Sequence, residues 1–281
     1  MSFFHEISLP KNVGINMANK ISLNKKRTYL SYIKSNFDRL SGREISRRLR
    51  IGKTTVNRWS KDLGLKYPKN TVNENFFNEL NEKSSYFLGY IFADGNISWN
   101  TKKGYYSTTI TASEKDKEHL EKLRFLISST KPLIYSSKTK SYRLIINSKK
   151  LCKKLMEYGL TPRKSLTIKF PNIPLSQLKH FVRGVIDGDG NVRYVKRKRS
   201  PYFEITIASG SKKFCECLIK SIKQSIGLSA NIRKVGNNTH IIQYSCNRGE
   251  KLAEYIYSNS NIFLERKYLV YKNNILGGKL K

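Results

Sequence analysis

The sequence predicts an α+β protein in which a small all-α domain precedes two pseudo-symmetric halves with antiparallel sheets. Within residues 80–275 the order helix, strand, strand, helix, strand, strand, helix is indicated twice, because the spacing of apolar residues changes between helical and alternating periods. Corresponding acids, Asp94 and Asp189, lie 189 − 94 = 95 residues apart, so each copy is about one hundred residues long. We therefore predict a first repeat over residues 71–178 and a second repeat over residues 179–281.

The net charge of the chain indicates what kind of molecule it binds. The chain carries 54 Lys and Arg against 20 Asp and Glu, a formal net charge of +34. An excess of this size, spread along the chain, predicts a polyanionic partner, with nucleic acid the leading candidate and a membrane surface the second. No run approaches the roughly 18 apolar residues of a spanning helix, and the first residues lack the apolar core of a signal peptide. We therefore expect an intracellular protein that does not enter a membrane.

Residues 1–70 are predicted to hold an N-terminal arm and a helix-turn-helix domain. Residues 43–65 contain two short stretches with helical spacing of apolar residues, separated by a tight turn at Gly52. Polar and basic side chains on the second helix would be exposed and suited to base edges and phosphates, namely Lys53, Thr54, Thr55, Asn57 and Arg58. A helical packing module without DNA contact is the alternative.

The first helix of each repeat carries small residues four positions apart. They are Gly89 and Ala93 in the first repeat, and Gly184 and Gly188 in the second. Residues at this spacing lie on one face of a helix, so each helix has a stripe with little side-chain bulk. Glycine costs roughly 1 kcal/mol in a helix interior. Its use at matched positions therefore predicts that the two helices pack with their backbones in close approach.

Each of these helices ends in an Asp-Gly pair. Close packing of the helices would bring the carboxylates of Asp94 and Asp189 together at one end of the pair. Like charges that close repel each other unless a cation lies between them, and hard oxygen ligands suit Mg²⁺. The sequence therefore predicts a divalent metal site at these two residues. Two helices that end in ordinary Asp-Gly turns are the alternative.

The segments FLGYIFADG and VRGVIDGDG resemble the LAGLIDADG motif of homing endonucleases, and the resemblance covers roughly residues 80–275. In that family the last acid of each motif is a metal ligand at the active site, which the resemblance carries over to Asp94 and Asp189. The first motif departs from the family pattern at Phe92, where an acid is usual, whereas the second keeps Asp187. The resemblance implies Mg²⁺ as the cofactor, with Mn²⁺ or Ca²⁺ able to occupy the same site.

Two lysines hold matched positions near the ends of the repeats, in TPRKS and LERKY. Members of the family often place a lysine about this far before the second motif, where it organises the nucleophilic water or stabilises charge on the phosphate. The resemblance therefore implies catalytic roles for Lys164 and Lys267. Exposed surface lysines are the alternative in a chain with so many basic residues.

The strands that follow each motif are rich in polar and basic residues. Because a strand alternates its faces, one face can pack on helices while the other faces DNA. The predicted DNA contacts are Lys102, Lys103, Tyr105, Ser107 and Arg143 in the first repeat, and Arg193, Lys196, Arg197, Lys198, Arg199, Arg233 and Lys234 in the second. Many of these cations are expected to touch only phosphates.

The resemblance implies a site-specific endonuclease that hydrolyses one phosphodiester bond on each strand of double-stranded DNA. Because both repeats lie on one chain and differ in sequence, we expect a monomer with a long asymmetric target. A DNA-binding regulator that does not cleave, or a maturase that binds intron RNA, is the alternative. One misfit stands out: when Ala112 is matched with Ala208, the isoleucines before them fall in opposite phase.

Overall fold

The computed structural model describes residues 21–66, 70–100, 102, 104–162, 164–197 and 200–277. It confirms the α+β fold class, with two four-stranded antiparallel sheets and ten α-helices among the described residues. The chain divides into two compact units, residues 1–69 and residues 70–281. No helix among the described residues combines the length and the apolar character needed to cross a bilayer.

The described residues of the first unit, 21–66, form a bundle of three helices: α1 (Leu23–Asn36), α2 (Gly42–Leu49) and α3 (Lys53–Asp62). Its core is a small apolar cluster in which Ile33, Ile45, Val56 and Trp59 are almost completely buried. The Ser41 hydroxyl accepts a hydrogen bond from the Glu44 backbone N–H at 3.2 Å, which caps the start of α2. The helical spacing of apolar residues thus produces the packing that it predicts.

The turn between α2 and α3 differs from the prediction in one respect. The residue in the left-handed conformation is Arg50, with φ of 53°, whereas Gly52 has φ of −60° and occupies the N-cap of α3. An αL residue after the last helical turn lets its N–H bond back to the helix, and here Arg50 N donates to the Arg47 carbonyl at 3.3 Å. Gly52 is therefore not the residue that reverses the chain.

The second unit contains two copies of one arrangement. The first copy consists of α4 (Glu82–Asp94), β1 (Gly95–Asn100), β2 (Tyr105–Ser113), α5 (Lys117–Leu126), β3 (Ile134–Ser136), β4 (Ser141–Ile146) and α6 (Lys149–Glu157). The second consists of α7 (Leu175–Asp189), β5 (Gly190–Val195), β6 (Tyr202–Ser209), α8 (Lys212–Ile226), β7 (Ile232–Val235), β8 (Thr239–Ser245), α9 (Asn247–Tyr257) and the additional α10 (Glu265–Tyr271). The sheet orders are β1-β2-β4-β3 and β5-β6-β8-β7.

Strand register removes the misfit in the isoleucine phases. Gly95 pairs with Ile110 in the first sheet, and Gly190 pairs with Ile207 in the second. Both isoleucines are completely buried, so they are the equivalent positions, and Ala112 corresponds to Ser209 rather than to Ala208. The repeats differ by two residues in the hairpin loop, residues 101–104 against 196–201. Matching the alanines was wrong, and no bulge is needed.

Helices α4 and α7 pack against each other with their backbones in contact. A Cβ atom placed on Gly89 would overlap the carbonyl oxygen of Phe181, and one placed on Gly184 would overlap the carbonyl oxygen of Tyr86. Further along, a Cβ on Gly188 would overlap the methyl group of Ala93. The backbone on the facing helix cannot move aside as a flexible side chain would. Each small residue in the stripe therefore lies where a larger one would force the helices apart.

A buried arginine joins the two repeats near the start of α4. Arg183 on α7 is completely buried, and its Nε and Nη1 donate to the carbonyl oxygens of Ile262 and Ile256, each at 2.7 Å. Its Nη2 donates to Glu82 Oε1 at 3.1 Å, and that carboxylate also accepts from the backbone N–H of Asn261 at 2.8 Å. The first residue of α4 is thereby tied to the second repeat by charged hydrogen bonds.

Candidate active site and nucleic-acid interface

Asp94 and Asp189 are the last residues of α4 and α7, and a strand begins at the residue after each of them. A Cβ on Gly95 or Gly190 would lie 2.5 Å or 2.6 Å from the carbonyl oxygen four residues earlier, so only glycine fits this direct change from helix to strand. One carboxylate oxygen of Asp94 is 3.4 Å from the position that a Cβ on Gly188 would take. The structure thus brings the Asp94 carboxylate against the end of the partner helix.

The charge of Asp189 affects the protonation of Asp94. Burial, and then the negative charge of Asp189, raise the pKa of Asp94 to about 6, while the ammonium groups of Lys267 and Lys164 oppose the shift. Burial also raises the pKa of Asp189, again opposed by the two lysines. All four predicted catalytic side chains therefore lie close enough to interact electrostatically.

This donor set fits a hard divalent cation. Two carboxylates that are disfavoured by burial and mutual repulsion gain from a cation between them, and Mg²⁺ takes one or two carboxylates while keeping water or phosphate oxygens. Among the described residues no group of three or more His, Cys, Asp or Glu side chains is placed to hold a metal ion. The remaining ligands would have to be water, backbone oxygens or the substrate phosphate.

Lys164 lies in a 3₁₀ turn (Lys164–Leu166) and reaches the end of α4. Its ammonium group donates to the carbonyl oxygen of Phe92 and, at 2.6 Å, to that of Ala93. Burial lowers its pKa, and the charges of Asp189 and Asp94 oppose that shift. A cation at this position also compensates the partial negative charge at the C-terminus of a helix.

Lys267 lies on α10 and serves the end of α7 in the same way. Its ammonium group donates to the carbonyl oxygens of Ile186 at 2.7 Å, Asp187 at 2.8 Å, Gly188 at 3.4 Å and Gly190 at 2.5 Å. The side chain is buried, and burial lowers its pKa to about 8. Because an ammonium group has three hydrogens, these four acceptors occupy all of its donors in the free protein.

The second motif keeps an acid that the first replaces by phenylalanine, and the surroundings of the two positions differ accordingly. Asp187 accepts hydrogen bonds from the Tyr86 hydroxyl and the Leu264 backbone N–H, both at 2.7 Å, and from the Tyr257 hydroxyl at 3.3 Å. In contrast, Phe92 contacts the rings of two other phenylalanines, Phe181 and Phe214. The acid of the second motif thus organises a buried polar cluster, and the first motif needs none at the equivalent position.

One face of the first sheet carries the buried Ile110 and Leu144 and packs on α5 and α6, and the opposite face is called the unpacked face. Arg143 is on the unpacked face, as its pairing with Thr111 shows, and Tyr105 on the same face is 46% exposed. Ser107 is also on this face, but its side chain is completely buried and its hydroxyl has no partner among the described residues. Ser107 therefore does not belong to the exposed surface. Lys102 is exposed, and Lys103 lies outside the described residues.

The unpacked face of the second sheet is defined here by the residues Arg193, Glu204, Thr206, Arg233, Gln243 and Ser245, which its strand register places on one side. Arg193 and Arg233 are exposed on it, and Lys196 and Arg197 are exposed just beyond the end of β5. Lys234 is exposed but points to the opposite side of the sheet from Arg233, because adjacent residues of a strand alternate. Lys198 and Arg199 lie outside the described residues.

Sequence reasoning missed the acid in the middle of this face. Glu204 is only 1% exposed, and its carboxylate accepts hydrogen bonds from Arg193, Gln243 and Ser245 on neighbouring strands. Its signal in the sequence is an acid in YFEITIAS at the outward phase of an alternating strand. That phase becomes evident only once the buried isoleucines are aligned correctly.

In the three-helix unit, the predicted DNA-contacting residues follow the exposed side of α3. Four of them are exposed, Lys53, Thr54, Asn57 and Arg58, and Thr55 is half-buried. A shallow groove is lined by the N-terminal residues of α2 and by two of these side chains, namely Ser41, Gly42, Arg43, Lys53 and Asn57. The basic and amide groups on this surface match the chemistry of phosphates and base edges.

Comparison with known proteins identifies a matching family model and one curated relative. A family model described as "LAGLIDADG-like domain" matches residues 81–158 and 176–263. An uncharacterized protein of Methanocaldococcus jannaschii is 27% identical over 185 residues, which is 62% of this chain. The chain spans 64% of the length of that relative.

Solved structures share the fold. LAGLIDADG meganuclease I-AabMI bound to uncleaved DNA has a TM-score of 0.51 and 15% identity, over 72% of this chain and 91% of that one. A double mutant of I-SmaMI also has a TM-score of 0.51, with 14% identity over 72% of this chain and 93% of that one. At these identities the similarity is one of fold.

Proposed function

The chain belongs to the family of LAGLIDADG-like domain proteins, and from this membership we propose that it is a site-specific endonuclease of double-stranded DNA. The family consists in general of metal-dependent DNA endonucleases. The proposed reaction is hydrolysis of one phosphodiester bond on each strand of a long asymmetric target. The proposal is supported by the position of Asp94 and Asp189 as the last residues of two packed helices, with the Asp94 carboxylate against the end of α7 and its pKa raised by the charge of Asp189.

Asp94 and Asp189 would hold the divalent ion, with Mg²⁺ the natural choice and Mn²⁺ or Ca²⁺ able to replace it. A divalent ion at this position supplies Lewis acidity to the phosphate and lowers the pKa of a bound water. Lys164 and Lys267 fix the two helix ends from which the carboxylates project. They also place positive charge beside a centre where a phosphate group with developing negative charge would be bound.

The unpacked faces of the two sheets are the proposed DNA-binding surface. Each sheet begins at the residue after a candidate metal ligand, so DNA held along the strands would place a phosphate near the carboxylates. The excess of 34 positive charges supports binding to the backbone regardless of sequence. We also propose that residues 1–70 form a helix-turn-helix domain that adds contacts through α3.

A monomer is the proposed functional form. Residues 71–178 and 179–281 would each supply one half of the site, since each contributes one carboxylate and one lysine. The hydrogen bond from Arg183 to Glu82 supports this pairing of unlike repeats within one chain. The protein would act inside the cell, where its DNA substrate is found.

The test is cleavage of duplex DNA that spans a candidate intron insertion site, with Mg²⁺ and with a chelator instead. We expect cutting of both strands only with Mg²⁺. Asp189→Asn removes a charged ligand while keeping the side chain's shape, so it should retain DNA binding and reduce cutting by at least about a hundredfold. Asp38→Asn makes the same change at an exposed acid outside the site and is the matched control.

Two results would contradict the proposal. Tight, specific binding that leaves both strands intact in Mg²⁺ would indicate a DNA-binding regulator instead. Preferential binding of intron RNA over the duplex would indicate a maturase. Unchanged cutting by Asp189→Asn would remove the assigned metal site even if cutting itself is observed.

A further inference from the structure

A buried carboxylate lies in the middle of a surface that is otherwise basic or polar. Glu204 on β6 is 1% exposed and belongs to the unpacked face of the second sheet, opposite Arg193 on β5 and Ser245 on β8. Burying an ionised carboxylate is unfavourable unless it is fully paired, and an apolar residue would pack there at less cost. The position of this acid therefore calls for an explanation beyond the stability of the sheet.

Among the described residues, the hydrogen bonds of the Glu204 carboxylate come from side chains on the same face. Arg193 Nε donates to Oε1 at 2.6 Å, and Arg193 Nη2 forms an ion pair with the same oxygen. Gln243 Nε2 donates to Oε2 at 2.5 Å, and the Ser245 hydroxyl donates to Oε2 at 3.0 Å. Both oxygens are therefore in use, and three neighbouring side chains are held in place by one acid.

The network leaves Arg193 with a defined outer edge. Its Nε and one Nη2 hydrogen point to the carboxylate, whereas Nη1 and the second Nη2 hydrogen lie on the other side of the planar group. The side chain is 55% exposed, so that edge is accessible. Two parallel N–H donors of this kind match the O6 and N7 acceptors of guanine in the major groove.

The network also fixes the amide of Gln243. Its nitrogen donates one hydrogen to Glu204 and the other to the Ser245 hydroxyl at 3.0 Å, and a carboxylate accepts only, so the nitrogen must face inward. The amide oxygen is then the group that is free to meet a ligand. An acceptor in the major groove selects an exocyclic amino group, which adenine and cytosine carry and guanine and thymine lack there.

The first sheet has no such device. Because Ile110 and Ile207 are equivalent, Glu204 corresponds to Ser107, and Arg193 corresponds to Ser98. The residue that corresponds to Gln243 is Ile145. The network is thus a property of the second repeat alone, which fits a target whose two halves are read differently.

We propose that Glu204 is a positioning residue for base recognition, holding Arg193 to read a guanine and Gln243 to read an adenine or cytosine amino group in the major groove of double-stranded DNA. This inference rests on the proposed function, because it requires that the second sheet bind DNA. Glu204 itself would touch no base. Its effect would be to remove the freedom of two flexible side chains before binding, so that less entropy is lost on recognition.

The experiment selects preferred sequences from a duplex library with a randomised core, with the full-length protein and a chelator present so that DNA is bound and not cut. Three single variants, and the double variant that combines the first two, are compared with the wild type. Glu204→Gln keeps size and removes the charge, Arg193→Lys keeps charge and removes the planar pair of donors, and Arg143→Ala is the matched control on the first sheet. Circular dichroism and thermal unfolding establish that each variant is folded.

For the wild type we expect a position with a strong guanine preference. Glu204→Gln and Arg193→Lys should each reduce that preference about tenfold at the same position. Arg193→Lys should leave the other positions unchanged, whereas Glu204→Gln should also weaken an adenine or cytosine preference at the second position, which Gln243 reads. Arg143→Ala should leave the guanine position unchanged and alter a different one. In an Arg193→Lys background, Glu204→Gln should have no further effect on the guanine preference, since both residues act through one guanidinium group.

Each remaining outcome overturns the inference in a recognisable way. Uniform weakening for all sequences in Glu204→Gln would mean that the acid only stabilises the sheet. If Glu204→Gln and Arg193→Lys both select the same sequence as the wild type, at every position, then this network does not read bases, although the protein binds DNA. No sequence enriched by the wild type would overturn the proposed function and this inference together. If Glu204→Gln is unfolded, Arg193→Lys, which changes an exposed side chain, decides by the same criterion.

Discussion

Lys267, which is predicted to be catalytic from its position in the repeat, also has a structural role. In the free protein its ammonium group is bound by four carbonyl oxygens at and just beyond the end of α7, and Lys164 holds the end of α4 through two. The equivalent lysines therefore differ in how fully they are engaged. A lysine held this firmly positions the backbone that carries Asp189.

We predict that Lys267→Met lowers both stability and cutting. Removal of a charged donor leaves buried carbonyl groups without partners, at a cost of about 2–3 kcal/mol in the free energy of unfolding. Urea denaturation measures the change in the free energy of unfolding, and cleavage assays at a temperature where the variant is folded measure the loss of activity. Lys220→Met, at an exposed position of α8, should change neither. Equal stability of wild type and Lys267→Met would contradict the carbonyl contacts described for this residue.

At the residue scale, the sequence predicts which carboxylates lie at the ends of α4 and α7 better than it predicts the exposure of residues on the sheets. Repeated Asp-Gly pairs suffice to select Asp94 and Asp189, because a motif has fixed spacing. The burial of Ser107 is not evident from its outward position in an alternating strand, because the strand register decides which side chains surround it. Glu204 was overlooked for the same reason, since its partners Gln243 and Ser245 lie about forty residues further along the chain.

Among the elements, the pair formed by α4 and α7 has the least tolerance for change. Its contact surface is backbone against backbone at Gly89 and Gly184, so added volume cannot be absorbed by rotation of a side chain. The two acids lie at the end of this contact. Any change in helix separation is therefore transmitted to the distance between the carboxylates.

We predict that Gly89→Ala and Gly184→Ala each destabilise the protein by about 1–3 kcal/mol, although alanine is the better helix former by roughly 1 kcal/mol. Thermal unfolding measures the loss of stability. The rate of Mg²⁺-dependent cutting should fall by more than the decrease in the fraction of folded protein explains. Gly52→Ala is the matched control, because a Cβ there meets its nearest atom at 3.5 Å. A gain in stability from Gly89→Ala would show that the helices are not in backbone contact.

The order and type of elements are predictable because apolar periodicity reports local structure directly. Strand register is harder to predict from the sequence, because it depends on which residues of two distant strands pair. Here the hairpin loops differ by two residues, and matching Ala112 with Ala208 shifted the second repeat by one position. A shift by one residue exchanges the two faces of a strand, which is why an acid on the outer face went unrecognised.

For the molecule as a whole, the unlike repeats are joined by a charged contact. Burial alone would raise the pKa of Glu82, but hydrogen bonds from Asn261 and the charge of Arg183 hold that pKa below its ordinary value. A carboxyl whose folded pKa is lowered contributes stability above its unfolded pKa and loses it as the pH falls through the folded value. The contact between the repeats should therefore weaken in acid.

We predict that Glu82→Gln lowers the free energy of unfolding by about 1–2 kcal/mol at neutral pH, since one partner of the buried Arg183 loses its charge. The difference from wild type should begin to shrink below about pH 4.5, the ordinary pKa of a glutamate, where the unfolded carboxyl becomes protonated, and it should vanish as the pH falls through the lowered pKa of the folded protein. Urea titrations at several pH values measure it, and Glu79→Gln at an exposed site is the control. A difference that is independent of pH would exclude a role for the charge.

Because the chain divides into two units with separate apolar cores, residues 70–281 should fold without the first 69. We predict that this fragment still cuts DNA but binds it more weakly, with a reduced dependence of affinity on salt. The slope of log K against log salt should fall by about 0.9 for each phosphate that the fragment no longer neutralises. Fluorescence anisotropy over a salt series measures both quantities. An unchanged slope would exclude the three-helix unit from the DNA complex.

The direct change from helix to strand at Asp94 and Asp189 separates two properties of the proposed enzyme. Each acid is joined by a single peptide bond to the strand that begins the sheet, so the distance from carboxylate to sheet is a matter of backbone geometry. Substitutions along the outward positions of the strands leave that geometry alone. Substitutions on the strands can therefore change which base sequence is recognised while the positions of the hydrolysed bonds within the bound duplex stay the same.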